Sequence, residues 1–554
     1  MKRILLVAAL ALSACAAPSS YEGLAGGTKE DAAVSAPRPV SPISVSLIAS
    51  SRPRLRWDLG NVDVAAPLTG AIVEMSRTRE FAKDVKRFEA KGTELVVPED
   101  LELGVWFWRL KGNANGSVGT TPSVIWEMVV RGPAAHGSSN APTRSMVDMN
   151  ADGIPDLYIA GTCDMSDPTQ APVGGPSVLT PPASTAPTAP MIELFAGDKD
   201  GGFAMSDAVA FDSEVYEGPV TIGGGTDFDG DGITDVIRGG FTSGTQQGLT
   251  FYDVDMIFGT ATSKTPFDLN RGGMLYFASS STALPSVREG GDVDGDGYGD
   301  AVVGLQDVSF VMLGNAPTSA QFGSQPAAIP MLPDMPLGTS RVAMGAFDAN
   351  GDGLSDVAFS FDSSFSPSTR AFAAAGSHTQ RVTEPMMLDG DGARNATAFA
   401  AGDYNGDGLD DIAIATPFND STRICMWFGD RDKLLTKGPC VVGSAGTQEL
   451  GASLTAADIE GDGVDELLAT VKTDGIDGVR VIRVDGSGSA TVAPIGVPGV
   501  GVRLTTIWPG RPGKARWAAV AADGSRVAVF EGADLKTSIG PGAGIIRGFG
   551  RGLR

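Results

Sequence analysis

The sequence predicts an all-β protein: a seven-bladed β-propeller, six of its blades bearing an acidic loop, preceded by a small β-sandwich. Three observations predict it. A nine-residue acidic motif recurs six times in the 554 residues, at intervals of 79, 65, 56, 55 and 55. Each copy runs into a short β-branched or small apolar stretch, and a period near 55 with three or four strands marks a propeller blade. With 74 glycines and 42% hydrophobic residues, the chain is rich in turns yet apolar enough to bury a core, unlike a disordered acidic tail.

Charge narrows the function. The 42 Lys and Arg face 66 Asp and Glu, for a net charge of −24. Binding nucleic acid needs basic clusters to neutralise phosphate, and none is present. His136 and His378 are the only histidines, too few for multi-histidine zinc sites or histidine-centred catalysis. No G-x-S-x-G elbow, phosphate-binding G-x-x-x-x-G-K-[ST] loop or H-E-x-x-H zinc motif occurs.

At the N-terminus, Lys2 and Arg3 precede the apolar run Ile4 to Leu12 and then Ser13-Ala14-Cys15. This is the order of a secretory signal, and its apolar run is too short to span a bilayer. Leu12-Ser13-Ala14-Cys15 resembles the bacterial lipobox, which implies removal of residues 1–14 and lipidation of Cys15. The expected location is therefore the bacterial cell envelope: anchored to a membrane through Cys15, outer membrane foremost, facing periplasm or cell surface. Residues 15–44, rich in Ala, Ser and Pro, read as a tether. No later segment has the ~18 consecutive apolar residues of a membrane-spanning helix.

Residues 45–131 carry four of the seven tryptophans. Strand-like runs are Arg54 to Trp57, Gly70 to Met75, Thr93 to Val97, Gly104 to Leu110 and Val124 to Val130, several alternating with period two. The helical spacing of Phe81, Val85 and Phe88 leaves room for one short helix. Gly104-Val105-Trp106-Phe107-Trp108-Arg109-Leu110 resembles the G-x-Y-x-W-R-V strand of fibronectin type III modules. Its alternation places Trp106, Trp108 and Leu110 on one face, expected to be sandwich core rather than a ligand box.

The repeats occupy residues 140–540. Each motif places side-chain oxygens at positions 1, 3, 5 and 9, glycine at 6, and a main-chain carbonyl at 7. Alternate residues of a tight loop point inward together, and calcium takes six to eight oxygens at about 2.3–2.6 Å. The first copy offers Asp148, Asn150, Asp152 and Asp156 with the carbonyl of Ile154; the second offers Asp227, Asp229, Asp231 and Asp235 with that of Ile233. The third offers Asp292, Asp294, Asp296 and Asp300 with the Tyr298 carbonyl, and the fourth Asp348, Asn350, Asp352 and Asp356 with that of Leu354. The fifth offers Asp403, Asn405, Asp407 and Asp411 with the Leu409 carbonyl, and the last Asp458, Glu460, Asp462 and Glu466 with that of Val464. These loops are not EF-hands. Position 12 is Ile159, Arg238, Val303, Phe359, Ile414 or Ala469, none able to supply the bidentate carboxylate, and strand-like rather than helical residues follow. Metal-free Asp-Gly turns would leave three or four carboxylates repelling one another in every copy.

The motif resembles the D-x-[DN]-x-D-G-x-x-D loop of FG-GAP (VCBS) repeats, as in the integrin α-chain propeller and its bacterial relatives. The resemblance implies about six Ca²⁺ sites between the first two strands of successive blades. It also implies a binding role: adhesion, or interaction with a protein or glycan. An extracellular hydrolase or lyase, working through acids outside the loops on polysaccharide or phosphodiester, is the alternative. If the calcium loops share one face of the disc, the segments Cys163 to Pro190, Phe241 to Gly248 and Asp362 to Thr369 emerge on the other, the expected partner face. Segment 502–533 reads as a metal-free seventh blade with only Asp523-Gly524 where a loop might sit, and residues 541–554 as a closing strand or a loose tail. Cys425 and Cys440 lie in neighbouring strand-like runs and could form a disulfide in an oxidising compartment, which leaves Cys163 as a buried free thiol. The ligand positions hold three carboxylates in copies one, four and five and four in the others, 21 in all, so most of the net charge sits in the loops.

Overall fold

The computed structural model describes residues 29–553, apart from stretches of which the longest are 133–141, 165–187, 211–220, 315–327 and 331–338. The signal and lipobox readings, Cys15 included, lie outside the described residues, as does the segment 165–187. Among the described residues every regular element is a strand, and no helix is long and apolar enough to cross a membrane. The Phe81–Phe88 spacing makes no helix: Phe88 lies in the strand Lys86–Lys91, paired with Gly70–Ser76, because alternation in that hairpin buries Phe88 and Ala90.

The N-terminal part is two sheets around one core. The larger runs Lys29–Asp31, Ser117–Gly119, Gly104–Ala114, Trp126–Val130, Ser46–Ile48, Pro142–Ser145, with Gly70–Ser76 and Lys86–Lys91 joined to the Gly104–Ala114 strand. The smaller is Arg38–Ser41, Arg54–Asp58 and Glu94–Val96. Leu55, Trp57 and Leu95 from the smaller sheet meet Trp106, Trp108, Leu110, Trp126 and Met128 from the larger, as the period-two reading expects. Trp108 and Trp126 stand edge to face with centroids 5.6 Å apart, the arrangement favoured by the aromatic quadrupole. Two boundaries differ from expectation. Lys29–Asp31 and Arg38–Ser41, placed in the tether, are strands of this part; at three and four residues they are too short to show a period. Pro142–Ser145, placed with the repeats, pairs with Ser46–Ile48 instead.

Among the described residues seven antiparallel sheets of four or five strands follow in chain order, with a two-stranded one, Gly376–Ser377 and Arg381–Val382, after the third strand of the fourth. The second is built on Thr221–Thr226, Asp235–Gln246 and Leu249–Gly259, the third on Ser286–Gly291, Asp300–Gly304 and Ser309–Met312, and the fourth on Thr339–Phe347, Asp356–Asp362 and Arg370–Ala374. The fifth comprises Ala398–Gly402, Asp411–Phe418, Ser421–Asp430 and Leu434–Val442, and the sixth centres on Leu454–Ala457, Glu466–Thr473, Ile476–Val484 and Ala490–Ile495. The seventh is Val500–Trp508, Arg516–Ala521, Val527–Glu531 and Asp534–Ile539. The first contains Leu157–Asp164, Thr188–Gly197 and Phe203–Ala210, and its fourth strand is the C-terminal Arg547–Leu553, paired with Leu157–Asp164 through Ile159↔Leu553. The chain end thus closes the first sheet.

Apolar faces of neighbouring sheets pack on one another. Ile237 and Met256 meet Val303 and Phe310. Val302 and Val311 meet Val357 and Phe372, and Ala358 and Ala373 meet Ile412 and Ile414. Ala413 and Met426 meet Leu467 and Ile482, and Leu468 and Val481 meet Trp517 and Phe530. Leu157, Ile159 and Phe195 of the first sheet then pack against Ala518, Val520 and Val529 of the seventh. Two readings in the second sheet are corrected. Phe241–Gln246 is strand, with Gln246 paired to Leu249, and Met274–Ser279 is not the third strand but pairs outside Leu249–Gly259. In the apolar run LTFYDVDMIFG, which forms the third strand, Val254, Met256 and Phe258 are buried.

Candidate metal centres

Every acidic motif forms the corner between the first two strands of its sheet or, in the first sheet, the approach to Leu157–Asp164. Glycine at position 6 has φ between +84° and +96° in all six copies, a conformation strained for any side chain. Position 4 is left-handed too: glycine in five copies and Ala151, at φ +56°, in the first. This tight path turns the amides inward. The Asp148 carboxylate accepts from the N–H groups of Asp152 and Gly153 at 3.2 and 2.7 Å, and Asp403 from Asp407 and Gly408 at 3.0 and 2.9 Å. At position 5, Asp152, Asp231, Asp296, Asp352, Asp407 and Asp462 each accept from the N–H two residues on, at 2.8–3.0 Å.

Position 9 is the pin of the corner. One oxygen accepts from the N–H at position 2: Met149, Phe228, Val293, Ala349, Tyr404 and Ile459 donate at 2.7–3.0 Å to Asp156, Asp235, Asp300, Asp356, Asp411 and Glu466. In the first five the other oxygen accepts from a glycine ending the third strand or just beyond it: Gly197, Gly259, Gly314, Gly376 or Gly429, at 2.8–3.1 Å. In the sixth it accepts from Arg483 Nε at 3.2 Å, and Arg483 also holds Glu460 at 2.8 Å. The longer glutamates of that copy are thereby tied to an arginine that the other five lack.

Position 8, silent in the motif, couples one loop to the next. The N–H groups of Asp148, Asp292, Asp348 and Asp403 donate to Thr234 Oγ1, Ser355 Oγ, Asp410 Oδ2 and Asp465 Oδ2 at 2.9–3.1 Å. The position 8 amides of Thr234, Gly299, Ser355, Asp410 and Asp465 return bonds of 2.7–3.4 Å to the preceding loop's position 1 carbonyl. The available signal was a short oxygen-bearing residue at this position in four of six copies, but its partner lies a whole repeat away.

Carboxylates so packed are held out of water. Asp148, Asp227, Asp292, Asp348, Asp403 and Asp458 are all buried. Burial, with neighbouring carboxylates adding to it, pushes Asp148 up to about 6, Asp403 and Glu466 to about 7, and Asp156 and Asp348 to about 8. Asp227, Asp235, Asp292, Asp300, Asp356 and Asp411 are raised well above the carboxylate range for the same reason. Ligand oxygens of Asp227, Asp229 and Asp235 lie within 4.8 Å of one another, as do those of Asp292, Asp294 and Asp300. Positions 1, 3 and 9 thus converge in these two copies, while position 5 stands outside the groups. Asp227 Oδ1 is buried without a hydrogen-bond partner.

The seventh corner is displaced from expectation. It is Trp508 to Arg516, not Asp523-Gly524, since Arg516 opens the second strand and the Ala515 N–H donates to the Asp458 carbonyl at 2.8 Å, as position 8 does elsewhere. The frame of nine residues is kept, with Gly513 at position 6 and φ +83°. WPGRPGKAR carries no carboxylate, which hid it from a search for acids.

The N-terminal part lies against these loops. The Phe107 ring closes on Gly153, and the main chain at Ile125 and Val40 closes on Gly232 and Gly297, leaving no room for a methyl group there. Ser44 Oγ donates to the Gly232 carbonyl at 2.9 Å, and the Arg38 guanidinium lies 4.9 Å from the Tyr298 ring centroid. Arg131, nearly buried, holds Asp465 at 3.1 Å and reaches Asp458 at 3.9 Å. Leu47, Val129, Met146 and Trp508 form an apolar seam. The missed sequence signal is that Trp126–Val130 has no exposed face: Glu127 and Val129 alternate with the core residues and are buried as well. Cys425 and Cys440 are directly opposed in adjacent strands and joined by a disulfide, with Cα atoms 4.1 Å apart.

Residues 395–430 match the FG-GAP repeat family, a span holding the fifth loop with the strands on either side. No curated protein matches the chain. Three of the solved structures that resemble it do so at low identity. One is described as the Dos1 propeller: 10% identity, 64% of this chain and 82% of that one, TM-score 0.37. Another is BBS1N in complex with ARL6DN: 9%, 64% and 89%, TM-score 0.33. The third is a rhamnogalacturonan lyase of Bacillus licheniformis, PL11: 12%, 92% and 70%, TM-score 0.28.

Proposed function

We propose that this is a calcium-stabilised binding protein of the bacterial cell envelope, lipid-anchored at Cys15. In this reading the seven sheets are the blades of a propeller, fronted by a fibronectin type III-like sandwich. Its partner, a protein or a glycan, is held on the face opposite the calcium loops. The covering of the loops by the N-terminal part carries the reading. Contacts from Phe107, Ile125, Val40 and Arg131 occupy the first, second, third and sixth loops, which favours the other side as the one available to a partner.

The donor set fits the metal. Carboxylates and main-chain carbonyls are hard oxygen ligands, suited to Ca²⁺ rather than to zinc or copper. Asp227, Asp229 and Asp235, with the partnerless Asp227 Oδ1, would hold the second ion, and Asp292, Asp294 and Asp300 the third. A divalent cation would cancel the repulsion that burial imposes on these groups, and its role is structural. Deleting residues 165–189 from the calcium-loaded chain should abolish capture of the natural partner in a pull-down or on a glycan array. Unchanged capture would remove the partner-face assignment.

A further inference from the structure

The first loop differs from the other five in what faces it. Glu127 projects from the middle of Trp126–Val130 on the side away from the sandwich core, and it is fully buried. Its carboxyl meets that of Asp148 and faces Asp152, with Arg79 a cation that acts on it. Two carboxylates can only accept, and among the described residues no donor other than the Asp148 carboxyl itself stands at either oxygen of Glu127. Its main chain is fixed: the Glu127 N–H donates to Ser44 Oγ at 3.1 Å, and its carbonyl accepts from Val45 N–H at 2.8 Å. A buried anion held rigidly against a second anion costs several kcal/mol unless something positive is shared between them. Like the fourth and fifth loops, this one has asparagine at position 3, so its own set carries three carboxylates.

We infer that Glu127 is a ligand of the first metal centre, so that one divalent cation joins the N-terminal part to the repeats. The inference rests on the calcium reading above. The Glu127 oxygens complete the carboxylates of Asp148, Asp152 and Asp156, and the ion clamps Trp126–Val130 onto the loop. Metal at the other loops stiffens single corners, whereas metal here fastens two parts of the chain.

The test is a calorimetric calcium titration of the full chain beside its Glu127→Gln variant. Gln keeps the shape and can donate to Asp148, so a mere shared proton would be replaced without loss. Removing a second-sphere group costs metal sites about 10–100-fold in affinity, and a ligand should cost at least the lower figure. The expected result is one site weakened by about tenfold or more, with the rest unchanged. Hydrogen exchange of the unmodified chain supplies a second readout: calcium should slow the amides of 126–130. Identical titrations of the two proteins, or exchange at 126–130 indifferent to calcium, would overturn the inference while leaving the calcium reading standing. A wild-type chain that takes up no calcium would overturn both.

Discussion

Six corners and a seventh share the left-handed glycine at position 6 and, in six of the seven, the position 8 amide bond to the preceding loop, and they differ in chemistry. In the six, buried carboxylates fill the turn, and position 9 ties it to the third strand. In the seventh, Arg516 stands at position 9, and the rings of Trp517 and Phe530 stack with centroids 4.2 Å apart behind it. The Trp517 indole N–H donates to the Gly532 carbonyl at 2.8 Å. Gly513 keeps the turn. The corner is therefore achievable without acid. Six acidic versions, each burying charge at a penalty, make sense as ion sites rather than as a requirement of the fold.

The largest way to break the comparison is to remove divalent cations. At about tenfold excess over Kd, each independent site contributes about 1.4 kcal/mol, so six would contribute several kcal/mol, comparable with the net stability of a domain. Chelator should lower the melting temperature sharply and speed amide exchange in the six loops, while amides of 513–516 change little. Equal acceleration in all seven corners would show that the contrast is not one of metal.

A single pin comes next. Asp300→Ala strips acceptors from the amides of Val293 and Gly314 as well as an oxygen of the proposed ion site. Leaving buried donors unsatisfied costs about 1–3 kcal/mol each, so a loss of about 2–4 kcal/mol in denaturant unfolding is expected. Arg516→Ala, at the matching position, should cost less than half as much.

The disulfide should be indifferent to calcium. It closes 15 residues of sequence, and constraint of the unfolded chain over such a loop is worth about 3 kcal/mol in the entropic account. Cys440→Ser should lose about 2–3 kcal/mol by the same amount with and without chelator.

The remaining contrast is a pH slope. Asp148 is raised to about 6, Asp403 and Glu466 to about 7, and Asp156 and Asp348 to about 8 in the folded chain without metal. A carboxyl whose folded pKa is raised binds protons that the unfolded chain has released. Its contribution is complete below the ordinary carboxylate range and is lost as pH rises through those values. Metal-free protein should therefore weaken from about pH 5 to 8. Saturating calcium, which takes the ionised form, should flatten or reverse the slope. A metal-free chain whose melting is flat across that range would contradict the burial described.

The corners were legible because carboxylates and glycines at fixed offsets are local, and so was the core of the N-terminal part, since Trp106, Trp108 and Leu110 alternate cleanly. What stayed hidden depends on distant partners. Thr234, Ser355, Asp410 and Asp465 act on the previous repeat, and Arg547–Leu553 completes a sheet begun some 390 residues earlier. Glu127 was invisible as a site residue because a lone glutamate in an apolar strand reads as its solvent face. The seventh corner lost its acids and with them the only motif that announced it.

The central claim is that the carboxylates of the six corners are ion sites, and equilibrium calcium binding to the mature chain tests it most directly. The account predicts about six Ca²⁺ per chain with Kd of about 10⁻⁴–10⁻³ M, as for extracellular calcium modules, and none at Trp508–Arg516. A chain that takes up no calcium at millimolar concentration, and melts identically in chelator, would contradict it.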